Sequence, residues 1–229
     1  MNQRYQSMHK PQVRSFWDNA VYHTGNMEVC ALTGNKDYLQ YSIDWADYNQ
    51  WKGATSNNKA EWRSTYGESP EYVLFGDWQV CFQTYADLYK LDPDTIKIAR
   101  AREVMEYQMS TSKLDYWHWV DALYMVMPVM VKMYDITKNP LYLEKLHQYL
   151  TVTDSIMYDR EVGLYYRDAK YPYPFHKTIN GKKDFWSRGD GWAFAAFAKV
   201  LKQLPAEDKY REEYITRFQT MAKSIAACQ

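Results

Sequence analysis

Residues 115–128 read Asp115-Tyr-Trp-His-Trp-Val-Asp121-Ala-Leu-Tyr-Met-Val-Met-Pro128, and the apolar run continues to Val131. Between Trp117 and Val131 the one formally charged side chain is Asp121. A helix of that composition is buried nearly all round. The segment after it, Leu141 to Tyr158, mixes Glu144, Lys145, His147 and Asp154 with apolar positions, which predicts a half-exposed helix. Trp192 to Val200 and the following Lys209-Tyr210-Arg211-Glu212-Glu213 repeat the contrast. Alternation of fully and half-buried helices predicts an all-α toroid of helix hairpins, an inner ring packed on itself and shielded by an outer one.

Periodicity of 3.6 predicts eight helices, at about 14–33, 37–51, 77–90, 94–109, 117–136, 141–157, 190–203 and 207–227. The turns within hairpins resemble one another: Thr33-Gly34-Asn35-Lys36-Asp37-Tyr38-Leu39 matches Thr137-Lys138-Asn139-Pro140-Leu141-Tyr142-Leu143. Hairpins recurring every ~55 residues would need roughly 330 residues to close a six-hairpin barrel. The 229 residues hold about four. The expectation is one toroid domain over 1–229, incomplete at its C-terminal end, with loops 52–76 and 158–189 collected at one mouth.

Nine Trp, 22 Tyr and eight Phe make 17% of the chain aromatic, more than a core needs, which suits stacking against sugar rings. Lys plus Arg (28) balances Asp plus Glu (28), so no global field gathers nucleic acid or an anionic membrane. No uncharged apolar run of about 18 residues occurs, and the first ten residues lack the apolar stretch of an export signal, which predicts a cytoplasmic or periplasmic protein. Cys30, Cys81 and Cys228 are odd in number and widely spaced, as buried thiols are. The five His show no zinc-ligand spacing, and no phosphate-cradling glycine motif or nucleophile elbow is present, so neither a metal nor an organic cofactor is expected.

Asp121 is the sharpest chemical signal. A carboxylate inside an apolar helix either pairs with a neighbour or holds a raised pKa suited to general acid catalysis. One turn away on the same predicted helix face stand Trp117 and His118. Asp77, in Leu74-Phe75-Gly76-Asp77-Trp78-Gln79, opens a helix, where a first-turn carboxylate also has a purely structural use. In Asp184-Phe185-Trp186-Ser187-Arg188-Gly189-Asp190-Gly191-Trp192, two Trp and an Arg at a helix mouth suit a ring bearing a carboxylate, or else a packing corner with Arg188 paired to Asp190. Tyr22-His23 places a polar pair on the first inner helix.

Three strings, Trp-Val-Asp121-Ala-Leu-Tyr-Met-x-x-Pro128, Gly76-Asp77-Trp-Gln with Gln83-Thr-Tyr, and Phe185-Trp-Ser-Arg-Gly-x-Gly-Trp192-x-Phe-Ala-Ala, together resemble glycoside hydrolase family 105, the unsaturated rhamnogalacturonyl hydrolases. Family 88, the unsaturated glucuronyl hydrolases, is related. The resemblance runs from about Phe16 to the end of the chain. It implies an (α/α)6 barrel and removal of a 4,5-unsaturated uronic acid from oligosaccharides released by a lyase. It further implies Asp121 as general acid and base, Asp77 as the second essential acid, and Tyr22, His23, Trp117, His118, Trp186, Arg188 and Trp192 as substrate-lining residues. The expected partner is the oligosaccharide alone, with the protein a monomer or homodimer. Asp190 stands where the family pattern has Asn, which is expected to add a negative charge beside Arg188. The alternatives are a toroid sugar isomerase or epimerase, and a non-catalytic oligosaccharide-binding protein.

Overall fold

The computed structural model describes residues 1–228. They form helices α1 (Asn2–Met8), α2 (Trp17–Thr33), α3 (Lys36–Tyr48), α4 (Gly76–Gln79), α5 (Cys81–Leu91), α6 (Ile96–Ser110), α7 (Asp121–Thr137), α8 (Leu141–Met157), α9 (Ser187–Gln203) and α10 (Arg211–Ala227). Strands β1 (Tyr158–Asp159) and β2 (Leu164–Tyr165) make one small antiparallel pair, with Tyr158 opposite Tyr165. All eight predicted helices are present. The predicted helix at 77–90 is interrupted at Val80, and α1 was not signalled by periodicity. The residues group into two compact units, one of 1–111 with 135–137 and one of 112–134 with 138–228.

In the first unit α2 and α3 form a hairpin, α5 and α6 form the next, and α2 packs on α5. The first six residues of α5, Cys81 through Ala86, are buried and so is Leu88, whereas α6 keeps an exposed charged face. That is the inner and outer contrast read from composition. In the second unit α9 pairs with α10, and Ala122 through Met133 of α7 are buried without a break.

The repeated turn strings fold alike. Gly34 ends α2 in the left-handed region (φ 66°), and Lys138 ends α7 in the same region (φ 58°). One residue on, Asn35 Oδ1 accepts the Asp37 N–H at 2.8 Å and Asn139 Oδ1 accepts the Leu141 N–H at 3.0 Å. The internal similarity is thus a shared cap: a left-handed stop, then an Asn side chain occupying a free N–H of the next helix.

The Cys expectation holds for Cys81, which is buried; Cys30 is half-buried and Cys228 exposed. Among the described residues no helix is long and apolar enough to cross a membrane.

Candidate functional site

Helix α7 starts at Asp121, four residues later than predicted. The two residues before it are held by long-range backbone pairing: the Val120 N–H donates to the Arg167 carbonyl at 2.9 Å, and Trp119 bridges Asp168. Trp117 and His118 therefore do not lie one helical turn before Asp121 but in an extended lead-in. The Trp117 ring packs on Tyr149 and its carbonyl accepts the Thr153 hydroxyl at 2.9 Å.

Asp121, first residue of the helix, is half-buried. Burial pushes its carboxyl above the ordinary carboxylate range, while its own backbone N–H and the positive charges of Arg188 and Arg167 pull the other way. Burial wins. An acid held this way keeps its proton to higher pH than a free aspartate, as a proton donor requires.

Beside it stands the start of α9. Its first turn brings Gly189 against Val120: a Cβ built on Gly189 would lie 2.6 Å from Val120 Cγ1 and 2.8 Å from Trp186 Cε3. A larger residue would push α9 off the joint that carries Asp121, which explains the glycine of the Arg-Gly-Asp-Gly-Trp string. The Arg188 guanidinium lies 4.3 Å from the Trp186 ring centroid. Arg167, Tyr171, Asp184, Phe185, Trp186 and Arg188 line an open cleft of about 410 Å³. A larger cleft, about 620 Å³, runs along α6, and neither cleft counts Asp121 or Asp77 among its lining residues. Trp192 packs its ring 4.6 Å from Tyr124, and its indole N–H is buried with no hydrogen-bond partner among the described residues. His118 is half-buried, and burial lowers its pKa, favouring the neutral ring.

Asp190 departs from expectation. It does not face Arg188 as a charge: Oδ1 accepts the Tyr165 N–H at 2.8 Å, the residue is 4% exposed, and burial pushes its pKa up to about 7 against the pull of that N–H. A neutral Asp that accepts one backbone bond is a close substitute for the Asn of the family pattern. The sign for stability follows. Because the folded pKa lies above the usual carboxylate value, the native state holds a proton that the unfolded chain releases between about pH 4 and 7. Stability contributed by the neutral form is complete below pH 4 and declines up to pH 7. Asp190→Asn keeps the acceptor and removes this decline, so it is expected to stabilise the protein by something on the order of 3 kcal/mol at pH 8 and hardly at all at pH 4. Denaturant titrations at both pH values check it; equal effects would contradict a neutral native Asp190.

In the first unit, Asp77 sits in the first turn of α4 and is 7% exposed. His23 is 2% exposed, stacks 4.0 Å from the Trp45 ring and lies 3.0 Å from the Ser42 hydroxyl, and burial drives its pKa to about 3. Tyr22 stacks on Tyr5 of α1 at 4.0 Å and donates to Asn2 Oδ1 at 2.5 Å. His23 and Trp117 are each 2% exposed, their rings packed among large neighbours. Arg167 also lines the cleft, a position that the sequence did not single out. No group of three or more His, Cys, Asp or Glu able to hold a metal occurs among the described residues.

Asp121 at the start of α7 and Gly189 in the first turn of α9 thus meet at one joint, with Trp186 and Arg188 on the cleft beside it. The model of Glycosyl Hydrolase Family 88 matches residues 1–229, and the chain belongs to that family. It is 26% identical, over 223 residues, to an unsaturated 3S-rhamnoglycuronyl hydrolase of Formosa agariphila, covering 93% of this chain and 57% of that protein. A solved structure named as a polysaccharide lyase superposes with a TM-score of 0.98 at 69% identity, over 100% of this chain and 64% of that one. A family 105 glycoside hydrolase of C. acetobutylicum superposes with a TM-score of 0.72 at 19% identity, over 96% of this chain and 62% of that one. These neighbours place the chain in the α/α-toroid fold. The chain spans somewhat more than half the length of the relatives it matches.

Proposed function

We propose that the protein removes a 4,5-unsaturated uronic acid from the non-reducing end of lyase-generated oligosaccharides of the pectin or rhamnogalacturonan type. The observation that carries this reading is Asp121, an acid kept above the carboxylate range by burial and reached by the charges of Arg188 and Arg167. The C4=C5 bond of such a sugar is a vinyl ether polarised by the ring oxygen. Asp121 protonates C4 and, as carboxylate, accepts a proton from the water that adds at C5. The resulting hemiketal opens and releases the remaining oligosaccharide, so the net change is addition of one water. Unlike the two-carboxylate scheme at a saturated acetal, no carboxylate spacing sets an anomeric outcome.

Arg188 takes the uronate carboxylate, Trp186 and Trp192 pack against the sugar, His118 lines the approach, and Asp77 serves as the second essential acid. Tyr22 stays a peripheral substrate contact in this reading. The protein works as a monomer or homodimer in the cytoplasm or periplasm, where lyase fragments arrive. The test is incubation with lyase-digested pectin: loss of the ultraviolet absorbance of the unsaturated uronate supports hydration, and no loss with any unsaturated uronyl oligosaccharide refutes it. Arg188→Ala is expected to raise KM at least tenfold with kcat changed less, since its partner is charged before and during reaction.

The 69% identical structure named as a polysaccharide lyase favours a second reading, β-elimination at a uronate. Elimination creates the double bond that hydration consumes. The sign of the absorbance change on an intact uronate-containing polysaccharide separates the two.

A further inference from the structure

Arg167 lies outside the strings that define the site, on the segment after β2. Its carbonyl accepts the Val120 N–H, one residue before Asp121, so its backbone position is fixed to the start of α7. Its side chain is about half exposed, 53%, and lines the same cleft as Arg188. The two guanidinium carbons lie 6.0 Å and 4.3 Å from one ring centroid, that of Trp186, which puts them no more than about 10 Å apart. Arg167 Nη1 donates to the Tyr171 hydroxyl at 3.2 Å. The Tyr171 ring rests 4.6 Å from His176, whose Nε2 is 2.7 Å from Asp184 Oδ2.

The acids near the cleft offset its charge only in part, through one long ion pair between Asp168 and Arg167. Asp184 is engaged by His176, Asp168 stands 3.8 Å from Arg167 Nε, and Asp190 turns its carboxyl to the Tyr165 N–H. Both guanidiniums line the cleft around one ring, that of Trp186. We propose that Arg167 is a second carboxylate-binding residue, which together with Arg188 clamps the single carboxylate of the uronic acid seated on Trp186. One shared carboxylate fits better than two separate anions because the charges of both cations act on Asp121, the acid that the proposed function sets at C4 of that same sugar. The Arg fork supplies paired donors, and two forks fill the acceptor positions of one carboxylate. The inference rests on the reading that a uronate occupies the cleft, but not on which reaction follows.

The test is therefore binding, measured by calorimetry with glucuronate and with its neutral methyl ester, on the wild type, Arg167→Ala, Arg188→Ala and the double variant. Arg167→Ala is expected to weaken glucuronate about tenfold or more and to leave the methyl ester unchanged. The ester also reports whether the variant is folded. The double variant is expected to lose less than the product of the two single losses, since the arginines share one partner. Arg167→Lys, which keeps the charge without the fork, is expected to recover part of the loss. Unchanged glucuronate affinity in Arg167→Ala, equal weakening of acid and ester, fully multiplicative losses, or no glucuronate binding by the wild type each overturns the clamp. Failure of the hydrolase reading shows elsewhere, as unsaturated substrate bound but not consumed.

Discussion

Asp121→Asn is expected to lower kcat by ~10²–10⁴-fold through loss of proton transfer alone, with binding of substrate largely retained. The amide keeps the shape and the first-turn position of the carboxyl but has no proton of the required acidity. Asp121 must be protonated to act on C4, so kcat is expected to fall as pH rises through its pKa. Burial places that limb above the ordinary carboxylate range. Removing Arg188 or Arg167 takes away a charge that favours the carboxylate and is expected to move the limb to still higher pH. Asp77→Asn is expected to cost rate as well, with a smaller effect on affinity. Steady-state hydrolysis of an unsaturated disaccharide, with separate binding measurements on the Asn variants, checks all of these. Near-normal turnover by Asp121→Asn sinks the assignment.

Local patterning carries a long way in this chain. The eight long helices, the inner character of α5 and α7 and the matched caps after α2 and α7 all follow from side-chain spacing, Gly and Asn, whose effects act within a few residues. What stayed hidden depends on contacts distant in sequence. Trp117 to Val120 continue the apolar pattern, yet Trp119 and Val120 pair with the backbone of Asp168 and Arg167, some fifty residues on, so the helix cannot begin before Asp121. The same pairing conceals Arg167, a lone Arg in a Tyr-rich loop with no periodicity around it. Asp190 shows the converse. Its residue type suggested a charge beside Arg188, but the backbone of β2 supplies an N–H that turns the carboxyl inward, and burial then favours the neutral form.

Arg217→Met is expected to destabilise the second unit by about 3–5 kcal/mol, because it leaves a buried carboxylate without its cation. Arg217 of α10 and Asp154 of α8 are 9% and 7% exposed and meet at 2.7 Å. Tyr165 donates to the other oxygen of Asp154 at 2.6 Å, and the Arg217 guanidinium lies 3.7 Å from the Tyr158 ring. Even so paired, Asp154 has its pKa raised, since burial outweighs Arg217 and Tyr165. Without Arg217 the shift grows, and the native state then holds a proton that the unfolded chain releases above about pH 4. The loss of stability is therefore expected to be larger at pH 8 than at pH 5. Arg217→Met combined with Asp154→Leu removes both charges and is expected to recover most of the loss. The cluster also bears on the site, because the N–H of Tyr165 anchors Asp190 in the first turn of α9, two residues from Arg188. If the cluster positions that turn, Arg217→Met raises KM for a uronate substrate well below its melting temperature, and the double variant restores KM along with stability. Restored stability with KM still raised would instead tie Arg217 to the site by a route other than this packing.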